Sequence, residues 1–168
     1  MLEMFYPDEY LDSTYSIDFE RLYQKGYRGI LFDIDNTLVP HGAPADDRAK
    51  ALFERLRNIG FQCCLISNNQ LPRVKPFADE VGALFLEDAH KPSRKGYQLA
   101  MQKMGTTTKN TLFVGDQLFT DVYGARRTGI TSILVKPIHP KEEIQIVLKR
   151  YLEKIVLFFY RRRGKKGI

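Results

Sequence analysis

The chain of 168 residues has few of the features that stabilise small secreted proteins. It has two cysteines and no tryptophan, and Cys63 and Cys64 are neighbours in an apolar run. Adjacent residues of a strand point to opposite faces, so a disulfide between them would be strained, and two thiols are too few for a metal cluster. Cysteine usage excludes a disulfide-stapled scaffold and favours a reducing compartment.

Long apolar runs are also lacking. A membrane-spanning helix needs about 20 consecutive apolar residues, and no run in the sequence approaches that length. The N-terminus carries Glu3, Asp8 and Glu9, without the basic segment and apolar stretch of a secretory signal. We expect a cytoplasmic protein that does not cross a membrane.

No internal repeat or low-complexity tract is present, and the length suits one domain with a full core. The formal net charge of +6 indicates an anionic partner. Composition alone leaves that partner open between a phosphorylated substrate, a nucleic acid and an acidic membrane surface.

Short apolar runs alternate with helical patterns, as in parallel sheets joined by crossover helices. Strands are predicted at 29–34, 61–66, 83–86, 111–114 and 131–135, and helices at 17–25, 46–60, 74–81, 93–104, 119–127 and from about 141 to 160. We predict an α/β fold, with a single doubly wound domain of about five parallel strands over residues 1–168. Its core would span about 28–136, after an N-terminal segment at 1–27 and before a C-terminal helix and basic tail at 140–168.

The first predicted strand ends in Asp33-Ile34-Asp35-Asn36-Thr37. Residues two apart in an extended chain share a face, so the two carboxylates can approach one point. Two unit charges about 6 Å apart repel by about 3 kcal/mol at an effective dielectric constant of about 20. The pair is therefore stable only if one acid is protonated or a cation lies between them.

The fourth predicted strand ends in a second acidic segment, with Asp116 at the tip and Asp121 in the first turn of the next helix. If the first and fourth strands are neighbours, as many as four acids converge at the edge where ligands bind in such sheets. An oxygen-only cluster without His or Cys selects a hard cation and suits Mg²⁺. Either acidic pair alone is explained by ordinary polar residues after a strand. That explanation accounts less well for two acidic pairs at the ends of two strands.

Two other strand ends carry groups suited to a phosphate. Ser67 and Asn68 follow the second strand, and Lys91 follows the third, where it can neutralise charge on a transferring phosphoryl group. Each residue alone fits an ordinary turn or a solvated lysine. Their order and placement together favour a phosphate site.

Taken in sequence order, the acidic and polar residues at the four strand ends resemble the four motifs of the haloacid dehalogenase (HAD) superfamily. DIDNT at 33–37 resembles the nucleophile motif, Ser67 the second, Lys91 the third, and GDQLFTD at 115–121 the fourth. Asn36 departs from the pattern, because glycine is common there. The resemblance, which covers about residues 28–136, implies a Rossmann-like HAD fold and a magnesium-dependent phosphatase.

The resemblance also implies a role for each residue. Asp33 would form an aspartyl-phosphate, and Asp35 would act as general acid and then general base. Mg²⁺ would be held by Asp33, Asp116 and the main-chain carbonyl of Asp35, with Asp121 completing or orienting its shell. The residues that would bind or steady the phosphoryl group are Thr37, Ser67, Asn68 and Lys91.

The interval from Thr37 to Ser67 and the interval from Ser67 to Lys91 are each long enough for one crossover helix only. The resemblance therefore implies an open site without the cap domain of many HAD proteins. An open site favours a large or surface-bound substrate, or a lid from another subunit. The N-terminal residues Ser16, Ile17, Asp18, Leu22 and Gly26 further resemble the YqeG-type branch of subfamily IIIA. That branch is similar to phosphatases that convert phosphatidylglycerophosphate to phosphatidylglycerol, which implies a phospholipid substrate; the alternative is a soluble phosphatase of sugar, nucleotide or protein phosphates.

The C-terminal helix has two interpretations that the sequence leaves open. Its apolar stripe most simply packs on the sheet: Ile144, Val147, Leu148, Tyr151, Ile155 and Phe158 or Phe159. However, residues 155–160 are apolar on all sides and the basic run 161–166 follows, which is typical of a helix in peripheral contact with anionic lipid at the inner face of a membrane. A silent scaffold that binds RNA through the basic tail is a third hypothesis, but no recognition module or stacking platform supports a nucleic-acid partner.

Overall fold

Six strands form the centre of the molecule in a computed structural model, which describes residues 1–139 and 144–164 apart from the side chains of 144–146. The strands are β1 (Glu9–Leu11), β2 (Gly29–Phe32), β3 (Gln62–Ile66), β4 (Leu84–Leu86), β5 (Thr111–Gly115) and β6 (Thr131–Val135). All pair in parallel, in the order β1-β6-β5-β2-β3-β4. The predicted α/β architecture is confirmed, with six strands instead of about five.

The strand missing from the prediction is β1, which pairs with β6 at one edge of the sheet. Its three residues are only partly buried and include a single aliphatic side chain, Leu11, so no apolar run marks the segment. Main-chain pairing holds it in place. The N-terminal segment at 1–27 thereby contributes to the sheet.

The helices are α1 (Phe19–Gln24), α2 (Asp47–Ile59), α3 (Leu71–Val81), α4 (Arg94–Met104), α5 (Tyr123–Thr128) and α6 (Ile144–Arg162). α2 follows the prediction closely. Asp46 caps it by accepting a hydrogen bond from the N–H of Ala49 (2.8 Å), and Gly60 ends it with a φ of 119°. It buries the four side chains expected from the sequence: Ala49, Leu52, Phe53 and Leu56.

Helices cover both faces of the sheet, as a doubly wound fold requires. On one face α1, α2 and α3 pack into the largest apolar cluster, where Phe32 of β2 lies 5.2 Å from Phe53 and 6.2 Å from Phe19 between ring centroids. On the other face α4 and α5 pack over Phe113 of β5. Complete burial of one such side chain contributes about 1.5–3 kcal/mol. Both central strands are therefore fixed from two sides.

α3 differs from the prediction at its start. It begins at Leu71, which places Pro76 in its interior and not in its first turn. An interior proline removes one main-chain hydrogen bond. Four buried apolar side chains offset that loss: Val74, Phe77, Ala78 and Val81.

The predicted helix at 119–127 is also interrupted. Leu118–Val122 forms one π-helical turn, and only α5 after it is α-helical. Such turns are frequent at functional sites, and the hydrophobic pattern does not distinguish them from ordinary helix. This one carries Asp121.

α6 turns the described members of the apolar stripe away from the sheet, so of the two interpretations the one in which this stripe packs on the sheet is not supported. The exposed members are Val147, Leu148, Tyr151, Ile155, Phe158 and Phe159. Glu153 and Val156 are buried instead. Glu153 accepts the N–H of Leu118, and Val156 packs in an apolar cluster with Tyr6, Leu118, Val122 and Leu134. The predicted start near Lys141, the side chain of Ile144 and the tail residues 165–166 lie outside the described residues.

The site end of the sheet is not covered by an added domain. The β2–β3 connection holds one turn and α2, and the β3–β4 connection holds α3, so the prediction of no cap domain is confirmed for the described residues. Among these residues, no helix is both long and apolar enough to span a bilayer. The single-domain organisation and its boundaries stay predictions.

Candidate active site

β2 and β5 are neighbours, so the acidic segments that follow them meet at the carboxyl edge of the sheet. Phe32 pairs with Val114, and the N–H of Asp33 donates to the carbonyl of Val114 (3.0 Å). Oxygens of Asp33, Asp116 and Asp121 all lie within 4.8 Å of one another, and the three residues are buried. The structure therefore brings together three of the four predicted acids.

The fourth acid, Asp35, directs its carboxylate elsewhere. Its Oδ1 accepts hydrogen bonds from the N–H of Gly42 (2.7 Å) and from Nη2 of Arg73 (2.9 Å), and its Oδ2 accepts one from Nδ2 of Asn69 (2.8 Å). The expectation that up to four carboxylates converge is corrected to three, because these donors hold the fourth beside the opening of the site.

Asn36 forms the turn after the two acids of the first motif. Its φ of 60° lies in the left-handed region, which Asn tolerates better than most residues, and this explains how Asn replaces glycine here. Its N–H donates to the carbonyl of Val39 (2.8 Å). The turn places the Thr37 hydroxyl between two carboxylates, 3.1 Å from Oδ1 of Asp116 and 3.4 Å from Oδ2 of Asp33.

Lys91 is buried between two of the acids. Its Nζ lies 2.7 Å from Oδ1 of Asp33 and 2.7 Å from Oδ1 of Asp121, and its side chain is only 4% exposed. Asn68 fixes the main chain of Lys91, accepting its N–H (2.6 Å) and donating to its carbonyl (3.1 Å). Both polar atoms of the Asn68 amide are thus engaged, and its substrate role stays a prediction.

Asp121 is buried in the π-helical turn. Its Oδ2 accepts the N–H of Gln117 (3.1 Å), and the Tyr97 hydroxyl donates to its main-chain carbonyl (3.2 Å). A Cβ at Gly115 would collide with the Asp121 carboxylate. The glycine of the fourth motif is therefore required by this close approach.

A cleft of about 110 Å³ opens onto these groups. Ser67 lines it and keeps a hydroxyl proton to donate, since its Oγ accepts the N–H of Asn69 (3.0 Å). The other lining residues are Asp33, Asp35, Asn36, His41, Asn68, Lys91, Gln117 and Thr120. The cleft is small and partly open to solvent.

Burial and mutual repulsion raise the pKa values of Asp33 and Asp116. Burial raises the pKa of Asp33 to about 6, an effect that Lys91 opposes and Asp121 strengthens. Burial and the charges of Asp33 and Asp121 hold the pKa of Asp116 well above its usual range, with Arg150 acting against the rise. Burial alone would lower the pKa of Lys91, but Asp121 and Asp33 raise it above its ordinary value.

This arrangement fits the metal that the motifs imply. Raised carboxyl pKa values mean that negative charge is held here without full compensation. A divalent cation would supply that compensation, and a buried set of carboxylates without Cys or His matches the preference of Mg²⁺.

Comparison with known proteins assigns the family. The model of the haloacid dehalogenase-like hydrolase family matches residues 41–129, just over half of the chain. The chain belongs to this family. The matched range includes the second, third and fourth motifs of this HAD hydrolase.

The relatives of this HAD hydrolase are phosphatases, and it is an enzyme of that type. The Bacillus subtilis protein named "Probable phosphatase YqeG" is 34% identical over 166 residues, covering 98% of this chain and 96% of that protein. Phosphatidylglycerophosphate phosphatase 1 (chloroplastic/mitochondrial) of Arabidopsis thaliana is 30% identical over 169 residues, covering 90% of this chain and 47% of that protein. The solved cobalt-bound deoxy-D-mannose-octulosonate 8-phosphate phosphatase of Haemophilus influenzae shares the fold, with 14% identity, a TM-score of 0.51 and coverage of 79% and 88% of the two chains.

Sequence reasoning missed three charged residues beside the site of this HAD enzyme: Arg73 of α3, and Arg150 and Glu153 of α6. Arg73 contacts Asp35, and Arg150 contacts Asp116. One sequence signal was present, since Glu153 is the only acid after position 143 and lies within an apolar segment. A lone acid among apolar residues predicts burial with a partner.

Proposed function

We propose that this HAD enzyme is a magnesium-dependent phosphomonoesterase that acts through an aspartyl-phosphate, with Asp33 as nucleophile and Asp35 as general acid and base. The observation that carries the proposal is the buried cluster of Asp33, Asp116, Asp121 and Lys91, with Asp35 held separately at the opening. Asp33 is thus buried against two acids and the Lys91 cation, while Asp35 lines the cleft apart from that cluster.

In the first step an Asp33 carboxylate oxygen attacks phosphorus as the bond from phosphorus to the leaving oxygen breaks. Asp35 donates its proton to that oxygen, so the product departs as an alcohol. Lys91 and the Ser67 hydroxyl bind phosphoryl oxygens and stabilise the charge that develops on them. Thr37 holds the reacting carboxylate through its hydroxyl.

In the second step a water attacks the phosphorus of the aspartyl-phosphate, and Asp35, now a carboxylate, takes its proton. The acyl-phosphate P–O bond breaks, which regenerates Asp33 and releases inorganic phosphate. Asp33, Asp116 and the main-chain carbonyl of Asp35 would hold Mg²⁺, with Asp121 next to it. When bound, the ion offsets negative charge on the phosphoryl oxygens.

The role of Asp35 as general acid and base predicts that its substitution lowers turnover without weakening metal binding. Asp35→Asn should lower kcat by about 10²- to 10⁴-fold, the usual contribution of general acid–base catalysis, while Mg²⁺ affinity stays close to that of wild type because the main-chain carbonyl remains. Hydrolysis of an aryl phosphate and calorimetric Mg²⁺ titration measure the two quantities. Asp47→Asn, at an exposed acid of α2, is the matched control, and a large loss of Mg²⁺ affinity in Asp35→Asn would contradict the assignment.

We further propose that the substrate is a phospholipid monoester at an anionic membrane surface, phosphatidylglycerophosphate being the candidate suggested by the name of the Arabidopsis relative. The cleft is partly open to solvent, which leaves room for a leaving group that extends beyond it. The exposed stripe of α6 supports a surface-bound substrate, with Leu148 67% and Tyr151 69% exposed. Exposed cations flank or follow the stripe: Lys149, Lys154, Arg161, Arg162 and Arg163.

Vesicle sedimentation tests the membrane part of this proposal. We expect wild type to pellet with phosphatidylglycerol vesicles and not with phosphatidylcholine vesicles, because apolar burial and cationic attraction act together. Phe158→Glu should abolish pelleting, whereas Leu99→Glu, the same kind of change at an exposed position of α4, should not. Wild type that stays in the supernatant with both lipids, yet hydrolyses soluble phosphate esters efficiently, would favour the alternative of a soluble phosphatase.

A further inference from the structure

α6 lies outside the residues that match the HAD family, yet it reaches the site. Arg150 donates from Nη1 to the main-chain carbonyl of Asp116 (2.5 Å), and its Nη2 is paired with Oδ2 of the same residue. The guanidinium therefore binds Asp116 at two points, the main chain and the carboxylate. A bidentate contact of this kind restricts orientation more than a single lysine contact would.

Glu153 extends the contact by one helical turn. Its Oε2 accepts from Nη1 of Arg150 (3.0 Å), and its Oε1 accepts the N–H of Leu118 (2.9 Å), which starts the π-helical turn. Two neighbouring side chains of one helix face thus hold both ends of the segment Asp116–Leu118. The side chain of Glu153 is buried and its charge is partnered on both sides.

The contacts fix which oxygen of Asp116 faces its acidic neighbour. Arg150 contacts Oδ2 of Asp116. The Thr37 hydroxyl lies 3.1 Å from Oδ1 of Asp116 and 3.4 Å from Oδ2 of Asp33. Oδ1 of Asp116 and Oδ2 of Asp33 therefore lie on the same side, around one hydroxyl. Without Arg150, rotation of the Asp116 carboxylate about χ2 would be opposed only by Thr37 among these groups.

We propose that Arg150 and Glu153 are positioning residues that hold Asp116 in the orientation needed to bind Mg²⁺. This inference rests on the proposed function of the site. Partners behind a metal ligand typically change metal affinity by about 10- to 100-fold. α6 thereby becomes part of the metal site, although it contributes no ligand.

Two other roles for Arg150 predict different results. As a competitor for Asp116, it would weaken Mg²⁺ binding, and its removal would tighten it. As a simple anchor of α6, it would affect stability alone. An anchor role would matter because the first half of the helix has few apolar contacts: Val147, Leu148 and Leu152 are exposed, and a cleft of about 420 Å³ lies between the helix and the carboxyl end of β6.

Calorimetric Mg²⁺ titration of the full chain without substrate separates these roles. Arg150→Gln should weaken Mg²⁺ binding by about 10-fold or more, and Arg150→Lys should restore part of the loss. Glu153→Gln, which retains an acceptor for the Leu118 N–H, should give a smaller loss in the same direction. Lys95→Gln removes the same charge from an exposed position of α4 and should bind Mg²⁺ like wild type.

Unchanged or tighter Mg²⁺ binding in folded Arg150→Gln would overturn the inference. If that variant does not fold, as judged by its thermal transition, Glu153→Gln decides in its place, and unchanged binding there overturns the inference equally. Saturating Mg²⁺ should restore most of kcat in Arg150→Gln with the KM for an aryl phosphate unchanged. A folded wild type that neither binds Mg²⁺ nor hydrolyses phosphate esters would instead overturn the proposed function itself.

Discussion

Asp33→Asn should reduce Mg²⁺-dependent phosphate release by about 10³-fold or more, the scale seen when a covalent nucleophile is removed. An amide oxygen is a poor nucleophile toward phosphorus, so no aspartyl-phosphate can form at this position. The neighbouring charged groups remain in place, which limits the change to the reacting atom. Phosphate release from an aryl phosphate, with and without Mg²⁺, measures the loss.

The same substitution should not destabilise the metal-free fold at neutral pH. Burial raises the pKa of Asp33 to about 6, so its ionised form opposes folding and stability is lost as the pH rises from the ordinary carboxyl pKa through that value. Asn carries no charge and removes this penalty, while Lys91 keeps its contact with Asp121. The thermal midpoint in EDTA should therefore equal or exceed that of wild type.

Mg²⁺ should stabilise Asp33→Asn less than wild type, because one of the proposed ligands has lost its charge. Asp79→Asn, at an exposed acid of α3, serves as the control and should match wild type in hydrolysis and in Mg²⁺-induced stabilisation. Substantial hydrolysis by Asp33→Asn would exclude Asp33 as nucleophile. A loss of metal-free stability would show that the Asp33–Lys91 pair outweighs the repulsion among the acids.

Much of the fold was predictable because local signals and tertiary structure agree. The capping residues Asp46 and Gly60 set the limits of α2, and apolar runs identified five strands. The convergence of Asp33 and Asp116 followed from one assumption, that β2 and β5 are neighbours, and the sheet order confirms it. Acids that directly follow adjacent parallel strands start from neighbouring main-chain positions, whereas Asp35, two residues further on, is held elsewhere by loop and helix donors.

The residues that escaped prediction lie on helices whose orientation is set by tertiary contacts. Arg73 reaches Asp35 only because α3 starts at Leu71, a start that Pro76 argued against. Arg150 reaches Asp116 because α6 turns inward a face that carries Arg150 and Glu153 together with Val156. Periodicity identifies the apolar stripe of a helix but not whether that stripe faces the sheet, since an electrostatic contact with a strand end can outweigh apolar burial.

Lys91→Met should destabilise the metal-free protein by about 3–5 kcal/mol, the usual effect of breaking a buried ion pair from one side. Lys91 is the cation that contacts both Asp33 and Asp121, and Met fills a similar volume without charge. The acids would then be buried without that compensation. Urea denaturation in EDTA measures the change, and Lys95→Met, at an exposed position of α4, should leave stability within about 0.5 kcal/mol of wild type.

Mg²⁺ should recover much of the stability that Lys91→Met loses, because a divalent cation supplies charge to the same carboxylates. Hydrolysis should not recover, since Lys91 also neutralises the phosphoryl group, and loss of such a group costs about 10²- to 10³-fold in kcat.

Adding Asp121→Asn to Lys91→Met should restore metal-free stability beyond the sum of the single effects, because it removes the carboxylate left unpaired. Additive effects would mean that Lys91 contributes to the fold by packing, and that the charge balance proposed for this cluster is wrong.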